Sequence, residues 1–163
     1  TPSERRSMKT ELIMVGKTVD KLYTKGISDY QERIGHYMPF NITVIPALKN
    51  TKSLSEDQQK QAEGELILRL IQPSDTVVLL DEHGAERTSM EMATWLTRKQ
   101  QTAHRLVFII GGPYGFSADV YSRADEKISL SRMTFSHQMV RLIFTEQLYR
   151  ACTIIRGESY HHE

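Results

Sequence analysis

The sequence predicts an α/β domain, a mostly parallel sheet covered by helices. Three observations carry that expectation. Five short apolar runs alternate with five stretches of helical spacing, the pattern of a parallel sheet with helical crossovers. Two runs, "VVLL" and "LVFII", are apolar without interruption, as strands buried on both faces should be. The 163 residues, 39% hydrophobic and 25% charged, have ordinary soluble-protein proportions. That length makes one domain, able to bury about two-thirds of its unfolded surface.

In chain order, "TELIMVG" (Thr10–Gly16) reads as a strand ending in glycine. Val19, Leu22, Tyr23, Ile27, Tyr30 and Ile34 then fall at helical intervals. "FNITVIP" alternates as a strand and is closed by Pro46, and "KNTKSL" is a loop. Ser55 with Gln58 forms a capping box for a helix to about Ile71, and Pro73 lies beyond its end. "DTVVLLD" (Asp75–Asp81) is the third strand, followed by a turn at "EHGAER". Thr88 with Glu91 is a second capping box, opening a helix to about Gln101. "HRLVFIIGG" is the fourth strand, "PYGFS" a glycine-rich turn and "ADVYSRA" a short helix. "EKISLS" is the fifth strand, and the last helix starts at Ser136 or His137.

Composition excludes several classes. No apolar run approaches the ~18 residues needed to span a bilayer. "TPSERRS" has no hydrophobic core and is no secretory signal; residues 1–7 read as an appended or disordered extension, with the single working domain at 8–163. Cys152 stands alone on an apolar helical face, so it reads as a buried thiol without a disulfide. The six histidines match no structural zinc spacing, and no metal is expected. A net charge of +1 does not announce a nucleic-acid partner, so any RNA contact must come from a local patch.

In open parallel sheets, ligands bind beyond the carboxyl ends of the strands. Three such ends stand out: "LLDEHG", "IIGGPYG" and "SLSRMTFSH". In the second, Pro113 fixes a backbone angle while Gly111, Gly112 and Gly115 let a ligand approach the main chain. It is neither a Walker loop nor a dinucleotide fingerprint, so alone it reads first as a tight turn, and with the other two strand ends as a ligand loop. The last helix is apolar over a wider surface than one face requires, which fits a central helix or one shared with a subunit interface. His137 and Arg141 fall one turn apart, either as a functional pair or as a cap and a solvated arginine. Glu146 and Arg150 read as an ordinary helical ion pair.

"IIGGPYG", "SLSRMTFSHQMVRLIFTEQLYRA" and the tail "GESYHHE" together resemble the RlmH family of SPOUT-class methyltransferases. The early "MVGK" and the central "LLDEHG" agree, so the resemblance covers Met8 to Glu163. It implies a SPOUT fold with a C-terminal trefoil knot, and S-adenosyl-L-methionine as donor. It also implies methylation at N3 of a pseudouridine in large-subunit (23S) ribosomal RNA, cytoplasmic location, and a homodimer with the last helix at its interface. Carried over by residue, the donor would be held by Leu80, Gly111, Gly112 and Gly115, and by Leu130, Ser131, Arg132, Met133, Thr134 and Phe135. His137 and Arg141 would be catalytic, with Tyr149, Tyr160 and His161 binding the nucleotide. His137 has a suitable reference pKa for a base, whereas Arg141 and Arg132 would stabilise a developing anion. The family commonly has proline where this chain has Ser136, a departure offset by the good N-cap chemistry of serine. The small, nearly neutral chain implies a target presented by the assembled ribosome. A SPOUT enzyme acting on transfer RNA and a non-catalytic flavodoxin-like nucleotide module remain the alternatives.

Overall fold

The computed structural model describes residues 7–162. Five parallel strands form one sheet: β1 (Lys9–Val15), β2 (Phe40–Ile45), β3 (Thr76–Glu86), β4 (Arg105–Ile110) and β5 (Glu126–Ser129), in the order β2-β1-β4-β3-β5. The helices are α1 (Lys21–Gly35), α2 (Glu56–Leu68), α3 (Ser89–Thr102), α4 (Ala118–Arg123) and α5 (Met139–Ile155). The expectation of an extension falls on residues 1–7, of which 1–6 lie outside the described residues.

Side chains alternate across each strand, so the uninterrupted apolar runs feed two cores. On one face Leu12, Val78, Leu106 and Phe108 pack against Ile34 of α1, Trp95 and Leu96 of α3, and Phe144 and Leu148 of α5. On the other, Ile13, Val77, Leu79, Val107 and Ile109 meet Ile67 of α2, Val120 of α4 and Phe116 from the turn before α4. Helix α5 packs between α1 and α3. Cys152 is buried in the first core, and burial pushes its thiol up to about 12.

Both capping boxes form: Ser55 with Gln58, and Thr88 with Glu91. Ser136 also supports its helix, with Oγ accepting from the Met139 N–H (3.1 Å) and its carbonyl from the Val140 N–H (3.0 Å). Two expectations need correction. Val19 and Leu22 are 78% and 73% exposed, because α1 is capped at Asp20 and buries the stripe through Ile27 and Ile34 instead. "EHGAER" is not simply a turn after β3. Residues 81–84 bulge outwards, then Ala85 and Glu86 rejoin the ladder against Ile128 and Ser129. Gly84 permits this, since a Cβ there would lie 2.6 Å from the Ile128 main chain.

Candidate functional site

The ends of β3, β4 and β5 converge on a cleft of about 460 Å³, within the range of small-molecule sites. From β3 come Leu80 and the bulge carrying Asp81, Glu82 and His83. From β4 come residues 110–116, folded back by a bond from the Gly115 N–H to the Gly112 carbonyl (3.1 Å). Gly115 holds φ +83° with open space around it, so backbone conformation dictates that glycine. Gly111 is glycine for close packing against a ring, whereas Gly112 faces only the end of a flexible side chain. A Cβ at Gly111 would stand 2.9 Å from Phe116 Cε1, and one at Gly112 2.9 Å from Glu63 Oε1.

The third wall is the segment after β5, contributing Leu130, Ser131, Met133, Thr134 and Phe135, with His137 and Val140 closing the cleft from the head of α5. Among the described residues, the main chain of 132–135 makes one hydrogen bond, from the Met133 N–H to Ser131 Oγ (3.0 Å). Its remaining amides and carbonyls are left for solvent or a ligand. Ser129 Oγ donates to the Ser131 carbonyl (2.9 Å), fixing where this segment leaves the strand. Apolar walls and open main-chain groups together suit a flat heteroaromatic ligand. At the mouth, Tyr121 donates to Asp81 and meets the Phe116 ring edge-on at 5.7 Å. Burial, reinforced by the Asp81 bond, raises the Tyr121 phenol to about 12.

The expected site residues separate into three places. Leu80, the three glycines, Leu130, Ser131, Met133, Thr134, Phe135 and His137 all line the cleft. Arg132, on the same segment, is exposed and outside the lining. Arg141 lies fully buried on the other side of the α5 head. Its Nη1 donates to the Gly16 carbonyl (2.8 Å) and Thr18 Oγ1 (2.9 Å), and its Nη2 to the Val15 carbonyl (2.7 Å). Gln138 assists, donating to the Lys17 carbonyl (3.2 Å) and accepting from the Val19 N–H (3.0 Å). Arg141 therefore ties α5 to the β1–α1 loop, with desolvation lowering its pKa from the ordinary value.

Tyr149, Tyr160 and His161 form a third group at the far end of α5. Tyr149 packs on Tyr160 at 4.8 Å and on Tyr30 at 5.8 Å. Glu146 and Arg150 are more than an ordinary helical pair. Arg150 bonds Glu146 Oε1 (2.5 Å) and His161 Nδ1 (3.0 Å), and Tyr160 donates to the same Glu146 oxygen (3.0 Å). Burial first, then the bonds to Tyr30 and Glu146, raise the Tyr160 pKa. Sequence reasoning singled out the strand end "LLDEHG" but named only Leu80 from it, not Asp81 or His83, and it missed Phe116 and Tyr121 as cleft residues. The strand-end carboxylate of Asp81 was a usable signal, whereas Tyr121 on a short helix offered none.

Among the described residues, no group of three or more His, Cys, Asp or Glu is placed to hold a metal ion, and no helix is long and apolar enough to cross a membrane. A family described as "Predicted SPOUT methyltransferase" matches residues 8–161. The chain is similar to the protein named ribosomal RNA large subunit methyltransferase H of Bacteroides fragilis, at 61% identity over 157 residues, 96% of this chain and 100% of that one. Proteins of the same name from Bacteroides thetaiotaomicron and Porphyromonas gingivalis are 60% and 53% identical over the same shares.

Proposed function

This chain belongs to the SPOUT methyltransferase family, and from that premise we propose that it methylates large-subunit ribosomal RNA, at N3 of a pseudouridine, using S-adenosyl-L-methionine. The observation that carries the reading is the cleft walled by residues 130–135, with open main-chain groups opposite the glycine turn and His137 on its rim. The residues present fit the donor. Leu80, Ile110, Leu130 and Phe135 offer apolar contact for an adenine ring, and the 132–135 main chain offers both donors and acceptors for its edge.

The bound donor supplies an electrophilic methyl on a sulfonium, so the protein's tasks are alignment, exclusion of water and handling of the nucleotide's N3 proton. His137, exposed at the cleft wall, is assigned as the base. Arg132, on the segment that forms this wall, is assigned to the negative charge developing on the neighbouring carbonyl. Arg141 is assigned as a positioning residue, because both its terminal nitrogens are committed to the β1–α1 loop. Tyr149, Tyr160 and His161 lie outside the cleft lining and are assigned to RNA held beyond it. The near-neutral chain suits a target presented by the assembled ribosome, hence action in the cytoplasm. A homodimer is part of the reading: Val19, Leu22 and Met139 leave an exposed apolar surface where α1 and α5 begin. Sedimentation at micromolar concentration should give twice the chain's 18.8 kDa, and a mass of one chain rejects the dimer.

Calorimetry with S-adenosyl-L-methionine in the presence of a chelator tests the donor assignment. Binding with 1:1 stoichiometry per chain is expected. Absence of binding, or binding that vanishes with the chelator, contradicts the metal-free donor site, and flavin binding would revive the flavodoxin-like alternative.

A further inference from the structure

We propose that Glu63 is the anionic group through which the cleft prefers a positively charged donor over the neutral thioether left after transfer. This rests on the donor reading above. Glu63 lies on α2, outside the cleft lining, yet its carboxylate is pressed against the glycine turn. Its two oxygens stand 2.9 and 3.1 Å from the position a Cβ on Gly112 would occupy. The neighbouring residue explains how it gets there. Gly64 is buried, and a Cβ on it would lie 3.2 Å from both Ser117 Cβ and Val120 Cγ2, so α2 approaches the start of α4 as only glycine allows. That close approach delivers the Glu63 carboxylate to Gly112.

Two polar side chains near it on α2 are partnered. Lys60 pairs with Asp57 at 3.4 Å, and Gln61 bonds Asp119 at 3.0 Å. Glu63 has no hydrogen bond or ion pair among the described residues, although it is half-buried, and desolvation raises its pKa. A half-buried carboxylate without a partner is unfavourable unless something supplies the missing charge. The donor meets that need: its sulfonium carries a positive charge, which disappears when the carbon–sulfur bond breaks and the electron pair stays on sulfur. A fixed negative charge behind the glycine turn thus holds the donor more tightly than S-adenosylhomocysteine and eases release of the latter.

The test is calorimetry of both ligands with wild-type protein and Glu63→Gln, which keeps the side-chain shape. One unit charge in a half-exposed setting is worth about a three- to tenfold change in affinity. The Kd for S-adenosyl-L-methionine should rise by that factor in Glu63→Gln, with the Kd for S-adenosylhomocysteine within about twofold of wild type and the melting temperature of the ligand-free protein equal to or above that of wild type. An equal loss for both ligands would mean that Glu63 acts on the shared methionyl end or on loop shape, and would overturn the inference. So would unchanged affinity for both. If the wild-type protein binds neither ligand, the donor reading itself fails and this inference with it.

Discussion

The two ends of α5 are built on opposite principles. At its head, residues 132–135 leave nearly all their main-chain groups open, and His137 is exposed on the wall of the cleft. At its far end, Tyr160, His161, Arg150 and Glu146 are linked by hydrogen bonds, and Tyr149 stacks on Tyr160. Open hydrogen-bonding capacity beside a cavity leaves main-chain groups for a ligand, whereas linked side chains hold their surface in a fixed shape. The head also has its own fixed side, since Arg141 and Gln138 clamp it to the β1–α1 loop while His137 faces the cleft. One helix end thus holds a rigid anchor and a working surface back to back.

Breaking the anchor should have the largest effect. Arg141→Ala leaves the Val15 and Gly16 carbonyls without their guanidinium partner and opens a cavity. A loss of about 3 kcal/mol is expected, read as a melting temperature lower by about 6–12 °C. Because the clamp also orients His137, a saturated methylation rate that stays near normal in the surviving folded protein would show that the anchor and the working surface are independent.

The working surface responds differently. His137→Ala should lower single-turnover methylation of ribosomes by about 10²- to 10³-fold, leave the melting temperature within experimental error, and change donor affinity by less than about twofold. Loss of donor affinity at an unchanged saturated rate would move His137 to the donor site.

At the closed end, Tyr160→Phe removes the bond to Glu146 while keeping the ring against Tyr149 and Arg150. About 1 kcal/mol is expected, visible as faster amide exchange after Ile155 with donor affinity unchanged. Weakened donor binding would join the two ends into one site.

The smallest effect belongs to two groups at the far end of α5, Cys152 on the helix and Tyr37 against Tyr149. Cys152 and Tyr37 have folded-state pKa values raised to about 12, the first by burial, the second chiefly by the Glu158 hydrogen bond, from ordinary values of 9.0 and 10.0. Protonation then favours the folded state, so stability is level below pH 9 and declines as the unfolded thiol and phenol ionise above it. Thiol-labelling at pH 8 should find native Cys152 unreactive and the denatured protein fully reactive.

Much of this was legible in the sequence, for local reasons. Ser55/Gln58 and Thr88/Glu91 are self-contained capping boxes, and the apolar runs of β3 and β4 could only be buried strands. The segment 130–135 could be picked out because a strand ending in small polar residues is unusual. What escaped depended on distant partners. The bulge at 81–84 is set by the return of β3 to Ile128, and a local reading of "EHG" sees only a turn. The His137–Arg141 spacing implied one shared face, but His137 lies before the helix proper at Met139, so the one-turn rule does not apply to it. The acceptors of Arg141 lie more than 120 residues away, beyond any pattern in the local sequence.

The most direct test is to incubate ribosomes from a strain lacking this enzyme with the purified protein and methyl-labelled S-adenosyl-L-methionine, then map the label. The account predicts one methyl group per large subunit, at N3 of a single pseudouridine, with none in transfer RNA. Label confined to transfer RNA, or no label in large-subunit RNA at saturating donor, would contradict it.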